Sequence, residues 1–170
     1  MADLRVRIGH VHLKVADLAR AVGFYHEVLG LEIMQRLGDS AIFLSAGGYH
    51  HHLALNTWES LGGSPPGPGT TGLYHTAIVY PSRAALAEAL RRVLAAGIPL
   101  EGAADHGVSE SIYLRDPDHN GVELYCDRPK ELWPRTPDGR LAMYTHPLDV
   151  NGLLGEPEAD VELSEGPKDL

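Results

Sequence analysis

The sequence contains a single cysteine, Cys126, and no long apolar run. One cysteine excludes a disulfide bond within the chain. No apolar stretch approaches the roughly 18 to 20 residues that span a bilayer. The first residues also lack the apolar segment of a secretory signal peptide. We therefore expect a cytoplasmic protein that does not bind membranes, with Cys126 as a small core residue.

Basic residues are also scarce. The 14 Lys and Arg residues are outnumbered by 23 Asp and Glu residues, and the formal net charge is −9. Nucleic acids and anionic lipid surfaces repel a chain of this charge, so we expect neither as a partner. The length of 170 residues and the hydrophobic fraction of 44% suit one substantial core or two small modules that share one.

The residue present in excess is histidine, with 10 in the chain. Imidazole is a common metal ligand and the usual acid–base group near neutral pH, so this excess indicates metal or acid–base chemistry. A carboxylate adds to it, because Glu123 is flanked by Val122 and Leu124 in an apolar strand. A buried carboxylate without a partner is costly, so Glu123 should be paired, bound to a metal or facing a cavity.

Two segments of the chain repeat one order of elements. The first reads as a strand at 8–15, a helix at 18–29 between Asp17 and Gly30, and strands at 32–37, 41–45 and 49–57. The second reads as a strand at 74–80, a helix from Ser82 through Ala96, and strands near 98–100, 111–115 and 122–126. The sequence therefore predicts an α+β fold of two tandem βαβββ modules that form a shared cup-shaped mixed sheet.

Four regions follow from this pattern. The modules span 7–60 and 73–128, and the Pro/Gly-rich segment 61–72 between them reads as a linker loop. Residues 129–170 are predicted to form an irregular C-terminal arm followed by a solvated acidic tail. A half-covered sheet can offer an edge to a second copy, so a homodimer is one expectation.

The repeat relates three candidate metal ligands. His75 lies 65 positions after His10, and each opens its module. The stretch 41–44 matches 111–114 at an offset of 70, which places Leu53 opposite Glu123. If the modules face one cup, His10, His75 and Glu123 converge. Two imidazoles and a carboxylate with open positions suit non-haem Fe(II), with Mn(II) or another divalent metal as alternatives.

The motifs also resemble a known family. Ile8-Gly-His-Val-His-Leu-Lys-Val15 and Asp116-Pro-Asp-His-Asn-Gly-Val-Glu-Leu124 are similar to stretches of the vicinal oxygen chelate (glyoxalase/bleomycin resistance/extradiol dioxygenase) superfamily. The resemblance covers about residues 7–128. Tyr49-His-His-His-Leu-Ala-Leu-Asn-Thr-Trp58 and Asp105-His-Gly-Val-Ser-Glu110 most resemble its catechol 2,3-dioxygenase-like members.

The resemblance implies site roles and an activity. It implies metal ligands at His10, His75 and Glu123, in agreement with the repeat. It also implies catalytic roles for Tyr113, His51 and, as a looser match, His106. The implied activity is Fe(II)-dependent extradiol cleavage of a small catecholic aromatic, with both atoms of O2 incorporated. Alternation along the strand would place His51 on the face of Leu53, which is the expected cup face.

Two other function classes remain open. One is another metal-dependent enzyme of the same superfamily, such as an isomerase, lyase or epimerase. Isomerase-type members supply a fourth ligand, a glutamate, at the position assigned to Leu53, and leucine cannot bind metal. The other is a metal-free protein that binds a small molecule, similar to the superfamily's resistance proteins. Those proteins generally lack the two histidines and the glutamate.

Overall fold

A computed structural model of the protein describes residues 5–158, which divide into two compact units between Pro65 and Pro66. This division falls inside the predicted linker at 61–72, and residues 61–75 form neither helix nor strand. Most of the predicted acidic tail, residues 159–170, lies outside the described residues. Over residues 5–158, no helix has both the length and the apolar character needed to cross a bilayer.

The first unit contains one βαβββ module. Its elements are β1 (Val11–Lys14), α1 (Leu18–Val22), a π-helical continuation (Gly23–Val28), β2 (Glu32–Leu37), β3 (Ala41–Ser45) and β4 (Leu53–Asn56). The Asp17 side chain accepts a hydrogen bond from the Arg20 backbone N–H at 3.0 Å, which caps α1 as predicted. The sheet order is β1-β4-β3-β2, with β1 parallel to β4 and the other pairs antiparallel.

The second unit contains the other module and the arm. Its elements are β5 (Thr76–Tyr80), α2 (Arg83–Ala95), β6 (Leu100–Asp105), β7 (Ser109–Arg115), β8 (Gly121–Asp127), a 3-10 turn (Lys130–Leu132), β9 (His146–Pro147) and α3 (Val150–Leu154). Ser82 caps α2 by accepting from the Ala85 N–H at 3.1 Å. The sheet order is β5-β8-β7-β6-β9, with β5 parallel to β8.

The two modules repeat each other in detail, which confirms the predicted βαβββ duplication. Strand order and strand direction are the same, apart from the added β9. Even the irregularity between β2 and β3, at Ile33/Gln35, recurs between β6 and β7 at Leu100/Gly102. A bulge bends its strand and sets the register of the pairing, so its presence at the same place in both copies is a structural feature of the repeat.

The register corrects one predicted equivalence. Leu44 pairs with Leu53, nine positions later, whereas the corresponding Leu114 pairs with Val122, eight positions later. The connection in the second module is therefore one residue shorter, and Glu123 corresponds to Ala54 rather than to Leu53. Alanine cannot bind metal either. The position equivalent to Glu123 in the first module therefore still supplies no fourth ligand, although the residue there is Ala54.

Strand β4 is also shorter than predicted. It begins at Leu53, and residues 49–52 belong to no strand. The Tyr49 ring packs against those of His50 and His52, and Ser45 Oγ lies 3.1 Å from His52 Nδ1. Strand alternation therefore does not extend back to His51. The prediction that alternation places His51 on the face of Leu53 is wrong.

The core of the second unit lies between its sheet and α2. Leu86, Leu90 and Val93 of α2 are fully buried, at the helical spacing expected of a core-facing stripe. Val122, Leu124 and Cys126 of β8 point to the same core, and burial together with nearby Glu110 raises the pKa of the Cys126 thiol. This confirms Cys126 as a core residue and leaves Glu123 on the opposite face of the strand.

Helix α3 fixes the end of the arm to α2, and this contact can be tested. Leu153 of α3 is fully buried (0% exposed), whereas Leu132 in the same arm is 67% exposed. We expect Leu153→Ala to lower the free energy of unfolding by about 2–5 kcal/mol, because it leaves a cavity. Leu132→Ala should change it by less than about 0.5 kcal/mol. Equal effects in urea unfolding would contradict the packing role of Leu153.

Candidate metal and acid–base site

The second unit places three of the predicted site residues together. His75 directly precedes β5, which runs parallel to β8, and Tyr113 of β7 pairs with Glu123 of β8. Paired residues point to the same face of a sheet, so these side chains meet. His75 Nε2 lies 2.9 Å from Glu123 Oε2, and Tyr113 Oη lies 3.3 Å from Glu123 Oε1.

Glu123 has the partners that its apolar surroundings demand. Its side chain is 12% exposed, and its neighbours Val122 and Leu124 are buried on the other face. A neutral imidazole nitrogen and a carboxylate oxygen at 2.9 Å repel each other unless a proton or a cation lies between them. The contact between His75 and Glu123 is therefore either a hydrogen bond or two ligands of one metal ion.

The phenol beside this pair is held in its protonated form. Burial and the charge of Glu123 both raise the pKa of Tyr113. Its hydroxyl carries one hydrogen, and the oxygen lies 2.7 Å from His106 Nε2 and 3.3 Å from Glu123 Oε1. His106, the looser of the predicted matches, thus lies in direct contact with Tyr113.

A cavity of about 510 Å³ opens next to these residues. Its lining includes His75, Tyr113, Gly102 and the side chain of Tyr74, which is 81% exposed. Arg115 and Glu101, joined by a 2.9 Å ion pair, also contribute to its wall. Its volume is within the range typical of sites for small organic ligands.

The first unit brings other predicted residues together. The rings of His10 and His51 lie 4.4 Å apart, and the His51 ring lies 5.1 Å from that of Phe43. His51 is therefore next to His10, although not for the reason of strand alternation. Burial, followed by the nearby imidazoles of His10 and His50, lowers the pKa of His51, which favours its neutral form.

His12 belongs to the same face of β1 as His10. Asn56 Nδ2 lies 2.8 Å from His12 Nε2, so the amide donates to the ring. Burial and the neighbouring His10 lower the pKa of His12. The hydrogen bond with Asn56 gives His12 a structural role.

The predicted metal triad is not assembled within either unit. Inside each unit, over residues 5–158, no three His, Cys, Asp or Glu side chains come together as a group that could hold a metal ion. The second unit supplies the pair His75 and Glu123, and the first supplies His10 beside His51. The set His10, His75 and Glu123 therefore stays a prediction.

One contact of the site was not anticipated from the sequence. The main-chain oxygen of Tyr144, in the C-terminal arm, lies 3.0 Å from His106 Nδ1. The sequence carries no signal for it, because a backbone carbonyl is common to every residue and the arm has no regular pattern. Only the fold of the arm over the loop 105–109 reveals this contact.

Comparison with known proteins identifies the family of the chain. The model of the Glyoxalase/Bleomycin resistance protein/Dioxygenase superfamily matches residues 7–124. The chain is 40% identical over 149 residues to a catechol-2,3-dioxygenase of Bacillus subtilis, covering 88% of this chain and 51% of the relative. It is 34% identical over 123 residues to biphenyl-2,3-diol 1,2-dioxygenase 3 of Rhodococcus globerulus, covering 71% of this chain and 63% of the relative.

The chain thus spans about half of the first relative and less than two thirds of the second. Among solved structures, a lactoylglutathione lyase from Agrobacterium tumefaciens superposes with a TM-score of 0.57 at 27% identity. This match covers 73% of the present chain and 96% of the lyase.

The loop that carries His106 should stabilise the fold in a pH-dependent way. Burial would raise the pKa of Asp105, but the Gly107 N–H at 2.8 Å and Arg128 at 2.9 Å outweigh it and hold this pKa below its usual range. A lowered pKa stabilises the fold above the unfolded value of about 3.9, and this stabilisation is lost as pH falls through the folded pKa.

We therefore expect Asp105→Asn to destabilise the protein at pH 7 and to lose this effect as the pH falls through the lowered folded pKa of Asp105, because the natural side chain then becomes uncharged as well. Urea unfolding across this pH range measures the difference. Asp39→Asn, in an exposed turn of the first unit, serves as the control. A difference between Asp105→Asn and the natural protein that does not change with pH would contradict the assignment.

Proposed function

Because the chain belongs to the glyoxalase/bleomycin resistance/dioxygenase superfamily, we propose that it is an Fe(II)-dependent extradiol dioxygenase that cleaves a small catecholic aromatic. The observation that carries this proposal is the group formed by His75, Glu123 and Tyr113 on one face of the second sheet. Identity of 40% to a catechol-2,3-dioxygenase over 88% of the chain supports the same reaction class.

The donors fit a divalent metal. His75 Nε2 and Glu123 Oε2, 2.9 Å apart, are an imidazole nitrogen and a carboxylate oxygen, and together they would hold a divalent ion. We propose His10 as the third ligand, because His10 and His75 both directly precede the first strand of their modules. Two imidazoles and a carboxylate favour Fe(II), with Mn(II) or another divalent ion as alternatives.

The chemistry that a bound Fe(II) ion supplies is coordination of the two vicinal oxygens and reaction with O2. The protein's own part is to position and exchange protons. Tyr113 presents a hydroxyl that stays protonated next to the cavity, where it can orient an oxygen of the substrate. His51, beside His10, and His106, behind Tyr113, are the candidate acid–base groups.

A second candidate function is a metal-dependent isomerase, lyase or epimerase that needs no O2. The structural likeness to a lactoylglutathione lyase at 27% identity favours it. The position that would supply a glutamate ligand in isomerase-type members is Ala54, which counts against it. A metal-free binding protein is the third candidate, and the donor set argues against that class.

The test is oxygen uptake by the Fe(II)-loaded protein on addition of a panel of catechols. We expect uptake together with a yellow ring-cleavage product, and at least a hundredfold loss in His10→Ala and Glu123→Gln. His26→Ala and Glu59→Gln, which change an exposed histidine and an exposed glutamate, should retain activity.

Bound iron per chain separates the remaining outcomes of this test. Tightly bound metal without uptake for any catechol would reject the dioxygenase and favour the oxygen-independent enzyme. If the protein retains no divalent metal, both metal-dependent enzymes are rejected and the metal-free binding protein is the remaining candidate. Metal binding that survives in Glu123→Gln would reject Glu123 as a ligand.

Tyr113→Phe tests the phenol separately from the metal. The ring and its packing remain, while the hydroxyl next to Glu123 is lost. We expect bound iron to stay unchanged and kcat to fall by about tenfold or more, because an acid–base contribution is removed. Steady-state kinetics on the best catechol measure this. An unchanged kcat would remove Tyr113 from the mechanism.

A further inference from the structure

The C-terminal arm, residues 129–154, is attached to the rest of the second unit along its whole length. Strand β9 pairs with the edge of β6, where Asp105 is opposite His146. Leu153 is buried against α2, and Arg91 Nη2 donates to the Leu154 carbonyl at 3.1 Å. Trp133 Nε1 donates to the Arg128 carbonyl at 2.8 Å. An arm tied down in this way can hold a neighbouring group in one place.

The group that it holds is His106. His106 Nδ1 lies 3.0 Å from the Tyr144 carbonyl oxygen and 3.2 Å from Thr145 Oγ1, both in the arm. A carbonyl oxygen can only accept, so a neutral ring carries its proton on Nδ1, and the Thr145 hydroxyl accepts from the same N–H. Nε2 then carries a lone pair and accepts the hydroxyl of Tyr113 at 2.7 Å. The arm therefore determines which nitrogen of His106 faces the candidate site.

The loop that carries His106 is fitted to the arm without spare room. Gly107 has a φ of +75°, and a Cβ there would lie 2.6 Å from Tyr144 Cε1 and 2.8 Å from Pro134 Cγ. Such distances would force the Tyr144 ring and the Pro134 side chain away from residue 107. Gly139, in the same arm, has a similar φ of +84° but nothing within 4 Å of its Cβ position. An alanine at either position would carry a similar backbone strain, and only the one at position 107 would also meet the arm.

Ion pairs around the buried carboxylate of Glu110 hold the ends of the same loop. Arg128 Nη2 lies 2.9 Å from both Asp105 Oδ2 and Glu110 Oε1, and Arg83 Nε lies 2.7 Å from Glu110 Oε2. Glu110 is only 8% exposed, so its two arginine partners are required to keep its charge buried. Neither end of the loop can shift without breaking this group.

We propose that the C-terminal arm is a positioning element of the candidate active site. The Tyr144 carbonyl fixes the tautomer and the orientation of His106, and His106 thereby holds the hydroxyl hydrogen of Tyr113. This role rests on the proposed function, because Tyr113 is the group that faces the substrate. The hydrogen-bonded chain itself can be measured in the protein without any turnover.

The first experiment determines the tautomer of His106 by long-range proton–nitrogen NMR of the full chain without metal, at a pH where the ring is neutral. The His106 signals are assigned by their loss in His106→Gln. We expect the Nδ1–H form in the natural protein and in Gly139→Ala, and a mixture of both forms in Gly107→Ala. An Nε2–H ring in the natural protein would overturn the proposal, as would an unchanged tautomer in Gly107→Ala.

The second experiment uses turnover of the Fe(II)-loaded protein. We expect Gly107→Ala to lower kcat by about tenfold with KM and bound iron unchanged, because a proton-transfer group is displaced. Gly139→Ala should match the natural protein. His106→Gln can reach Tyr113 but not the Tyr144 carbonyl, so it should lose kcat as well, and full activity in it would refute the role of the arm.

Failure of the proposed function and failure of the positioning role of the arm give different results. If no catechol is turned over, the proposed function fails, while the tautomer still decides the role of the arm. If catechols are turned over and Gly107→Ala keeps both the tautomer and kcat, only the positioning role fails. Should Gly107→Ala not fold, the tautomer of the natural protein and the kcat of His106→Gln decide the outcome.

Discussion

The carboxylate of Glu123 imposes the constraint on which the second unit's site depends. It lies in a central strand between β5 and β7, with Val122 and Leu124 buried on the other face. A charge in that position must find its partners on the neighbouring strands, because water reaches only a small part of it. β5 brings His75 and β7 brings Tyr113, so the parallel and antiparallel registers together decide which groups surround the carboxylate.

The duplicated register shows how the two modules have diverged. The cross-strand pair Tyr113 and Glu123 in the second module corresponds to Phe43 and Ala54 in the first. The same two positions therefore carry a phenol and a carboxylate in one copy and only apolar groups in the other. The first module has its polar groups elsewhere, on β1 and in the irregular residues 49–52, which the longer connection before β4 makes available. One fold thus supplies a carboxylate site in one copy and an imidazole cluster in the other.

Sequence reasoning succeeded where local physical chemistry determines the structure. Helix caps at Asp17 and Ser82, alternation in β8 and the repeated order of elements are all local patterns, and each is confirmed. His75 and Glu123, both singled out from the sequence, meet because β5 pairs in parallel with β8, a pairing that the sequence patterns did not specify. Reasoning failed for Leu53, because a connection shorter by one residue shifts a register without changing any local pattern. It also missed Tyr144, whose contribution is a backbone atom.

The positions of two protons, on Tyr113 and on His106, connect the arm with Glu123. Tyr113 has one hydroxyl hydrogen, and the shorter of its two polar contacts is the one to His106 Nε2, at 2.7 Å against 3.3 Å to Glu123. With the Tyr144 carbonyl holding the ring proton on Nδ1, Nε2 is free to take that hydrogen. Among the described residues, the close donor left to Glu123 is then His75, whose Nε2 lies 2.9 Å from Oε2. By holding the ring proton of His106 on Nδ1, the arm directs the Tyr113 hydrogen to Nε2 and away from the carboxylate, which is the group that the proposed function assigns to a metal ion.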